Sequence, residues 1–238
     1  MRSLWNAVIV ENRKLSRSPV LWGMLVFLLF VTGIRSGGAD WTEHLGSMTF
    51  LFASVFGLMG FGTITAWTFG REYADRTIKD LVALPISRGT IVIAKSAVIV
   101  LWCLIATLLI FGFALLLGWL IGVPGFSVDA VWRSLVELLT IAAFHLLLCS
   151  PVALLASISR GYLVPIAYAF TTLMVALTAG PTVLGPYLPW SIPALHLSLS
   201  SEGGTLFPLG KASYVILIAV CELGIAGTMS WWKRADQR

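Results

Sequence analysis

Apolar residues run through this chain in six long stretches, near 19–34, 47–70, 96–122, 131–156, 162–180 and 212–232, and charged residues gather almost wholly between them. The hydrocarbon core of a bilayer is ~30 Å thick and takes about 20 apolar residues of helix to cross. The first stretch is short for this task, and the third and fourth are long. Hydrocarbon offers no partner for a backbone N–H or C=O, so spanning segments are helices or closed barrels. The alternating ~10-residue strands of a membrane barrel are absent. The pattern predicts an all-α, polytopic membrane protein of six transmembrane helices, a single domain over residues 1–238. Composition agrees, with 58% hydrophobic and 11% charged residues. A soluble domain carries roughly 25% charged residues.

Charge then orients the bundle. Segments 1–18, 71–95, 157–161 and 233–238 hold thirteen of the sixteen Lys and Arg, and the opposite loops hold only Arg35, Arg133 and Lys211. Basic loops stay inside, which places both termini in the cytoplasm and the chain in the plasma membrane as a multi-pass protein. The net charge of +5 is accounted for by this asymmetry. No basic stripe on a soluble domain points to nucleic acid, and no cleavable leader is expected.

The polar segments carry their own patterns. In residues 1–18, Leu4, Trp5, Val8, Ile9 and Leu15 recur at helical spacing against Arg2, Asn6, Arg13, Lys14 and Arg17. This predicts an interfacial helix with its cations toward anionic lipid headgroups. Ser18 and Pro19 read as N-cap and first residue of the first span. Residues 71–95 hold eight charges and little Gly or Ser. Thr77 with Asp80 resembles a capping box. Ile78, Leu81 and Val82 share one face, with Lys79 and Asp80 turned elsewhere. Pro85 disfavours helix at Leu84 and stops the segment, and Ser87 can cap the helix that follows. The result is a short cytoplasmic helix whose narrow apolar face needs either headgroups or a protein partner. The outer segment 181–211 holds Pro181, Pro186, Pro189, Pro193 and Pro208, so it is no continuous helix. Trp190, Leu195, Leu197 and Leu199 make it too apolar for a solvated loop. Short re-entrant helices, acting as a gate or as a lid anchored by Trp190 and Tyr187, fit both facts.

The run Glu72-x4-Thr77-x3-Leu81-x3-Pro85-x2-Arg88-x2-Ile91-x2-Ala94-Lys95 resembles the pattern of ABC-2 type transporter permeases. Arg76 stands where glycine is commoner in that family. The six-span layout, the amphipathic entry helix and the outer loop before the last span extend the resemblance over nearly the whole chain. Small size and the lack of an extracellular domain resemble the bacitracin- and lantibiotic-immunity subunits within it. The resemblance implies the membrane subunit of an ATP-driven exporter of an amphipathic or hydrophobic substrate, such as a peptide antibiotic, lipid or drug. It implies a coupling helix that docks on an ATP-binding subunit, with Glu72, Thr77, Leu81, Pro85 and Arg88 shaping the contact. Two ATP-binding subunits and a second transmembrane subunit, the same or a similar chain, are the implied partners.

The chemistry missing from the chain fits that division of labour. The nearest look-alike to an ATP-binding loop, Gly204 to Ala212, has one residue too many between its glycines and Ala where Ser or Thr should meet magnesium. ATP and magnesium are thus expected on a partner, no cofactor on this chain, and no enzymatic activity. There is no His-Glu-x-x-His, and His44, His145 and His196 are scattered, so neither a metal site nor an intramembrane protease is indicated. Cys103, Cys149 and Cys221 lie within spans as packing residues. Glu137 and Glu222 lie inside spans four and six. An acid at mid-bilayer costs on the order of 2.5–3.5 kcal/mol, so each is a candidate for the translocation pathway or is held neutral against a neighbouring helix. An ion-coupled secondary transporter using these two acids is the alternative, though no internal repeat favours it. Pro151 and Pro165 are candidate kinks.

Topology is directly testable. Cysteine placed at Lys79 or Asp236 is expected to be shielded from membrane-impermeant thiol reagents in intact cells, and cysteine at Asp129 or Glu202 to be labelled. Labelling at position 79 from outside would reverse the assigned orientation.

Overall fold

The computed structural model describes residues 2–83, 85–200 and 207–234. Leu84, Glu202, Gly204 and Asp236, and the side chains of Arg2, Val82 and Leu199, lie outside the described residues. All regular elements among the described residues are helical. Helix α1 (Arg2–Ser16) meets α2 (Pro19–Ile34) at 59°. Ser18 caps α2 as expected: its backbone is extended and its hydroxyl accepts from the Leu21 N–H at 3.1 Å. Helices α3 (Trp41–Leu51) and α4 (Gly57–Ala74) flank a π turn, Phe52–Phe56, and form one continuous 34-residue helix with it. The short α5 (Ile78–Val82) leads to α6 (Arg88–Ile121). Helices α7 (Val128–Leu148) and α8 (Ser150–Ile158) form the next long element, and α9 (Leu163–Ala179) follows. Two 3₁₀ turns and α10 (Ile192–Ser200) precede α11 (Lys211–Arg234).

Four of these are long and apolar enough to cross a bilayer: Trp41–Ala74, Arg88–Ile121, Val128–Ile158 and Lys211–Arg234. Helix α2 gives a fifth if joined with α1, while α9 is a shorter apolar helix. By length and composition alone, four helices among the described residues can cross a bilayer, or five if the bent pair is one span. The outer surface suits hydrocarbon. Phe30, Trp119, Leu120 and Leu223 are each more than 60% exposed, an apolar belt that water would not tolerate.

The helix ends sort into two groups. Trp41 donates to the Val123 carbonyl at 2.8 Å, and His44 Nε2 lies 2.9 Å from the Ala114 carbonyl, closing one end. The other end holds α1, α5, the starts of α6 and α9, and the ends of α4, α8 and α11. Arg13, Lys14, Arg17, Arg71, Arg76, Lys79, Arg88, Lys95, Arg160, Lys233 and Arg234 all gather there. The basic segments paired by charge along the sequence are thus neighbours in space.

Two prolines behave differently. Pro151 follows the break at Cys149 between α7 and α8. Pro165 is in the first turn of α9, where its missing N–H has no helical acceptor, so it starts that helix rather than kinking it. Part of the outer segment packs against the bundle. Ile192 of α10 is fully buried with Leu58, Leu148, Leu173 and Leu217 in a second core, separate from the main one. His196 stacks edge-on against Phe144 of α7 at 5.2 Å and pairs with the Tyr214 hydroxyl at 3.2 Å. The three cysteines are free and buried.

The π turn is filled by His145 of α7. Its imidazole lies edge-on to Phe52 and Phe61, at 5.8 and 6.4 Å, and is almost wholly buried. Gly57 makes the room, since a Cβ there would run into the ring. Gly224 does the same for α11 on α8, where a Cβ would stand 2.5 Å from the Ser150 backbone.

Candidate functional site

The loop between α4 and α6 is built on buried charge. Glu72, in the last turn of α4, is 4% exposed, and Lys95, two turns into α6, is fully buried. The Lys95 ammonium donates to Glu72 Oε1 at 2.7 Å, to Glu11 Oε2 at 2.9 Å and to the Thr68 carbonyl at 2.8 Å. Lys14 closes the ring, 2.9 Å from Glu11 Oε1 and 3.2 Å from Glu72 Oε1. Two carboxylates and two ammoniums balance, tying α1, α4 and α6 together. All three ammonium protons of Lys95 are used, while Glu72 Oε2 stays buried with no donor. Burial alone would depress the Lys14 pKa, but the Glu11 and Glu72 carboxylates outweigh it and hold it above the ordinary value. Lys14 therefore stays charged at neutral pH, and its share of the network is lost only as pH rises past that raised value.

Just past Glu72 the chain turns sharply. Arg76 takes a left-handed conformation, φ +58°. Its N–H donates to the Tyr73 carbonyl at 3.2 Å, and the Thr77 N–H donates to the Glu72 carbonyl at 2.9 Å. This pair of bonds is a Schellman motif, whose left-handed position glycine fills most easily. Arg76 thus occupies the very conformation that a glycine there would favour. The Thr77–Asp80 capping box does not form. Thr77 lies outside the extended region, and its hydroxyl makes no cap bond, because its backbone already completes the turn ending α4. Ser87 does cap α6, accepting from the Thr90 N–H at 3.1 Å.

The sequence-selected residues divide by direction. Ile78 and Leu81 are buried in the main core, 6% and 8% exposed. Ile78 and Leu81 of the narrow apolar face of α5 are therefore covered by the chain itself. Thr77, Lys79, Asp80 and Pro85 are exposed and form the outward side. Arg88 is half-buried and donates to the Trp232 carbonyl at 3.2 Å, joining the loop to α11. Trp232, itself fully buried, donates to the Ser157 hydroxyl at 2.8 Å and stacks edge-on with Phe69 and Tyr73, 6.4 Å from each. The loop thus presents a short polar helix on a base fixed to α1, α6, α8 and α11.

Spacing alone did not single out Glu11 and Lys14. The available signal was an acid among the cations of α1, one turn before Lys14. Helix α1 also turns a different face inward. Glu11 and Leu15 are buried against α6, and Asn12 accepts from the Trp102 indole at 2.7 Å. Trp5 and Ile9, grouped with Leu15 by periodicity, are exposed.

The two intramembrane acids are not brought together. Glu137 is half-buried on α7, and Glu222 is exposed on the outer face of α11. Residue 222 lies at the level of Ser150, since Ser150 and Val220 are in contact. Residue 137 is thirteen positions before Ser150, about 20 Å of helix.

Residues 7–176, well over half of the chain, match the family described as ABC-2 family transporter protein. Bacitracin transport permease protein BCRB of Bacillus licheniformis is 25% identical over 197 residues, covering 82% of this chain and 92% of that protein.

Two stability measurements check this geometry. Lys95→Met strands two buried carboxylates with one cation, and should lower stability by about 3–5 kcal/mol, read as early melting in detergent. Adding Glu72→Gln restores charge balance and should recover part of the loss; a double variant no better than the single one would mean the charges are not coupled. Arg76→Gly should raise stability by about 0.5–1 kcal/mol by relieving the left-handed strain, and an unchanged or lower melting point would count against the Schellman turn.

Proposed function

The chain belongs to the ABC-2 transporter family, and on that premise we propose that it is the permease subunit of an ATP-driven exporter. The observation that carries this reading is the outward polar side of α5 on its rigid base. A helix of five residues cannot hold its own shape in water, yet here Ile78 and Leu81 seat it in the main core while Glu72 before it and Arg88 after it fasten the loop to α6 and α11. That is what transmission of force from a separate ATP-binding subunit requires. Thr77, Lys79, Asp80 and Pro85 touch that subunit, while Glu72, Leu81 and Arg88 act from beneath by fixing the platform.

Two ATP-binding subunits then hold ATP and magnesium, and a second membrane subunit, identical or similar, completes the pathway. Helices α2 and α9 complete six crossings, with the basic end in the cytoplasm. The substrate is an amphipathic or hydrophobic molecule, and the bacitracin-transport relative favours a peptide antibiotic of that kind. Glu222 faces the second bundle from α11, where its charge finds water or a partner instead of lipid. The separation of Glu137 from Glu222 disfavours a proton relay between them, and with it the secondary-transporter alternative.

Co-purification with the ATP-binding subunit tests the reading. Lys79→Glu with Asp80→Lys should leave the permease inserted and reduce the recovered ATPase several-fold; full recovery would move the contact elsewhere. Because Leu81 is buried within the chain, Leu81→Asp reports on folding and is the poorer probe. For Glu222, export per inserted molecule should fall in Glu222→Gln and at least as far in Glu222→Leu, and equal export in both and in the wild type would remove this acid from the pathway.

A further inference from the structure

Where α1 bends into α2, the basic end opens into a cleft of about 530 Å³. Four cations line it, Arg13, Lys14, Arg17 and Arg71, against one carboxylate, Asp75. Two of the four are already paired. Arg71 lies 3.0 Å from Asp75 with its guanidinium 4.8 Å above the Trp67 ring, and Lys14 belongs to the buried ion network. Arg13 and Arg17 are exposed and have no ion-pair partner among the described residues. They stand four residues apart, Arg13 in the last turn of α1 and Arg17 just past its end, close enough for like charges to repel. Lys14 has used two of its three N–H donors on Glu11 and Glu72, which leaves one for an anion.

The depth of the cleft narrows the choice of anion. Its walls are helix ends: Pro19 opens α2, Arg71 lies in the last turn of α4, and Tyr162 precedes α9. Apolar exterior begins directly beyond. Trp22, Val26 and Phe30 stand out from α2, and Leu163, Val164 and Phe170 from α9, each at least half exposed. The Trp22 indole donates to the Ser16 carbonyl at 2.7 Å, the posture of an aromatic at the boundary between headgroups and hydrocarbon. A ligand matching both parts has a phosphate at one end and long apolar chains at the other.

We propose that the elbow between α1 and α2 is a binding site for an anionic phospholipid, its phosphate held by Arg13 and Arg17 and its acyl chains lying against the exposed sides of α2 and α9. Arginine suits the task because its planar fork meets phosphate oxygens two at a time. Lys14 stands between this site and Glu72, so an occupied cleft adds a third acceptor to the ammonium that steadies the loop beyond α4.

Native mass spectrometry of the full chain in detergent tests this, using phosphatidylglycerol and phosphatidylcholine of the same acyl chains. The wild type should retain phosphatidylglycerol roughly thirtyfold more tightly, as two surface arginines at about 1 kcal/mol each imply. In Arg13→Gln/Arg17→Gln the preference should fall toward one, while Arg133→Gln, at the opposite end, keeps it. Should the double change disturb insertion, each single change is expected to lose part of the preference. An undiminished preference in the Arg13 and Arg17 variants would overturn the site. A soluble arm separates the sources: inorganic phosphate or glycerophosphoglycerol at millimolar concentration should neither displace the lipid nor protect the chain against melting. Displacement by either would make the cleft a site for soluble phosphate and overturn the lipid assignment.

Discussion

The structure hangs on four charges, three of them withdrawn from water and the fourth, Lys14, at its edge. Glu11, Lys14, Glu72 and Lys95 come from three helices far apart in sequence, and Lys95 has no exposed surface at all. Each alone would carry a desolvation penalty of several kcal/mol, and only mutual pairing with good geometry offsets it. That condition is met in one arrangement of α1, α4 and α6. The ends of those helices are thereby held in register, and the loop after α4 inherits a fixed starting point. A set of apolar contacts would tolerate sliding by a turn; these hydrogen bonds do not.

From that fixed point the basic end is assembled in steps. The Schellman turn at Arg76 redirects the chain, Ile78 and Leu81 seat α5, and Arg88 reaches across to the Trp232 carbonyl. Farther along the bundle, Ile192 of α10 sits with Leu58, Leu148, Leu173 and Leu217 in a small apolar core of its own, while Trp41 and His44 close the opposite end with hydrogen bonds to the Val123 and Ala114 carbonyls.

Much of this was legible along the chain because it depends on local rules. Ser18 before Pro19 and Ser87 before Arg88 announce helix starts through backbone chemistry confined to a few residues, and both caps form. The break-up of the outer segment into two 3₁₀ turns and the short α10 follows from its prolines. What escaped was decided by which faces meet. Periodicity read α1 as an interfacial helix, and Trp5 and Ile9 are indeed exposed, but it gave no sign that Glu11 would turn inward to Lys95. Thr77 has the right residue type for a cap, and the turn ending α4 claimed its backbone first. Pro165 has the right type for a kink, but α9 begins just two residues earlier. Ile78 and Leu81 of α5 looked unsatisfied only because the core that covers them comes from the rest of the bundle.

The π turn at Phe52–Phe56 has a consequence for the long helix that contains it. An α-helix advances about 100° per residue, so one extra residue in a turn offsets everything before it from everything after it by about that angle. Trp41 and His44 are set against the far end of α6, and Glu72 against its near end. The two ends of the helix are thus out of phase with each other, and the wide turn absorbs the difference beside the His145 ring. Removing one residue there would restore a regular helix and still break the fit, since Trp41 or Glu72 could find its neighbour but not both. The length of this helix is therefore counted to the single residue, although its two working ends stand about 50 Å apart.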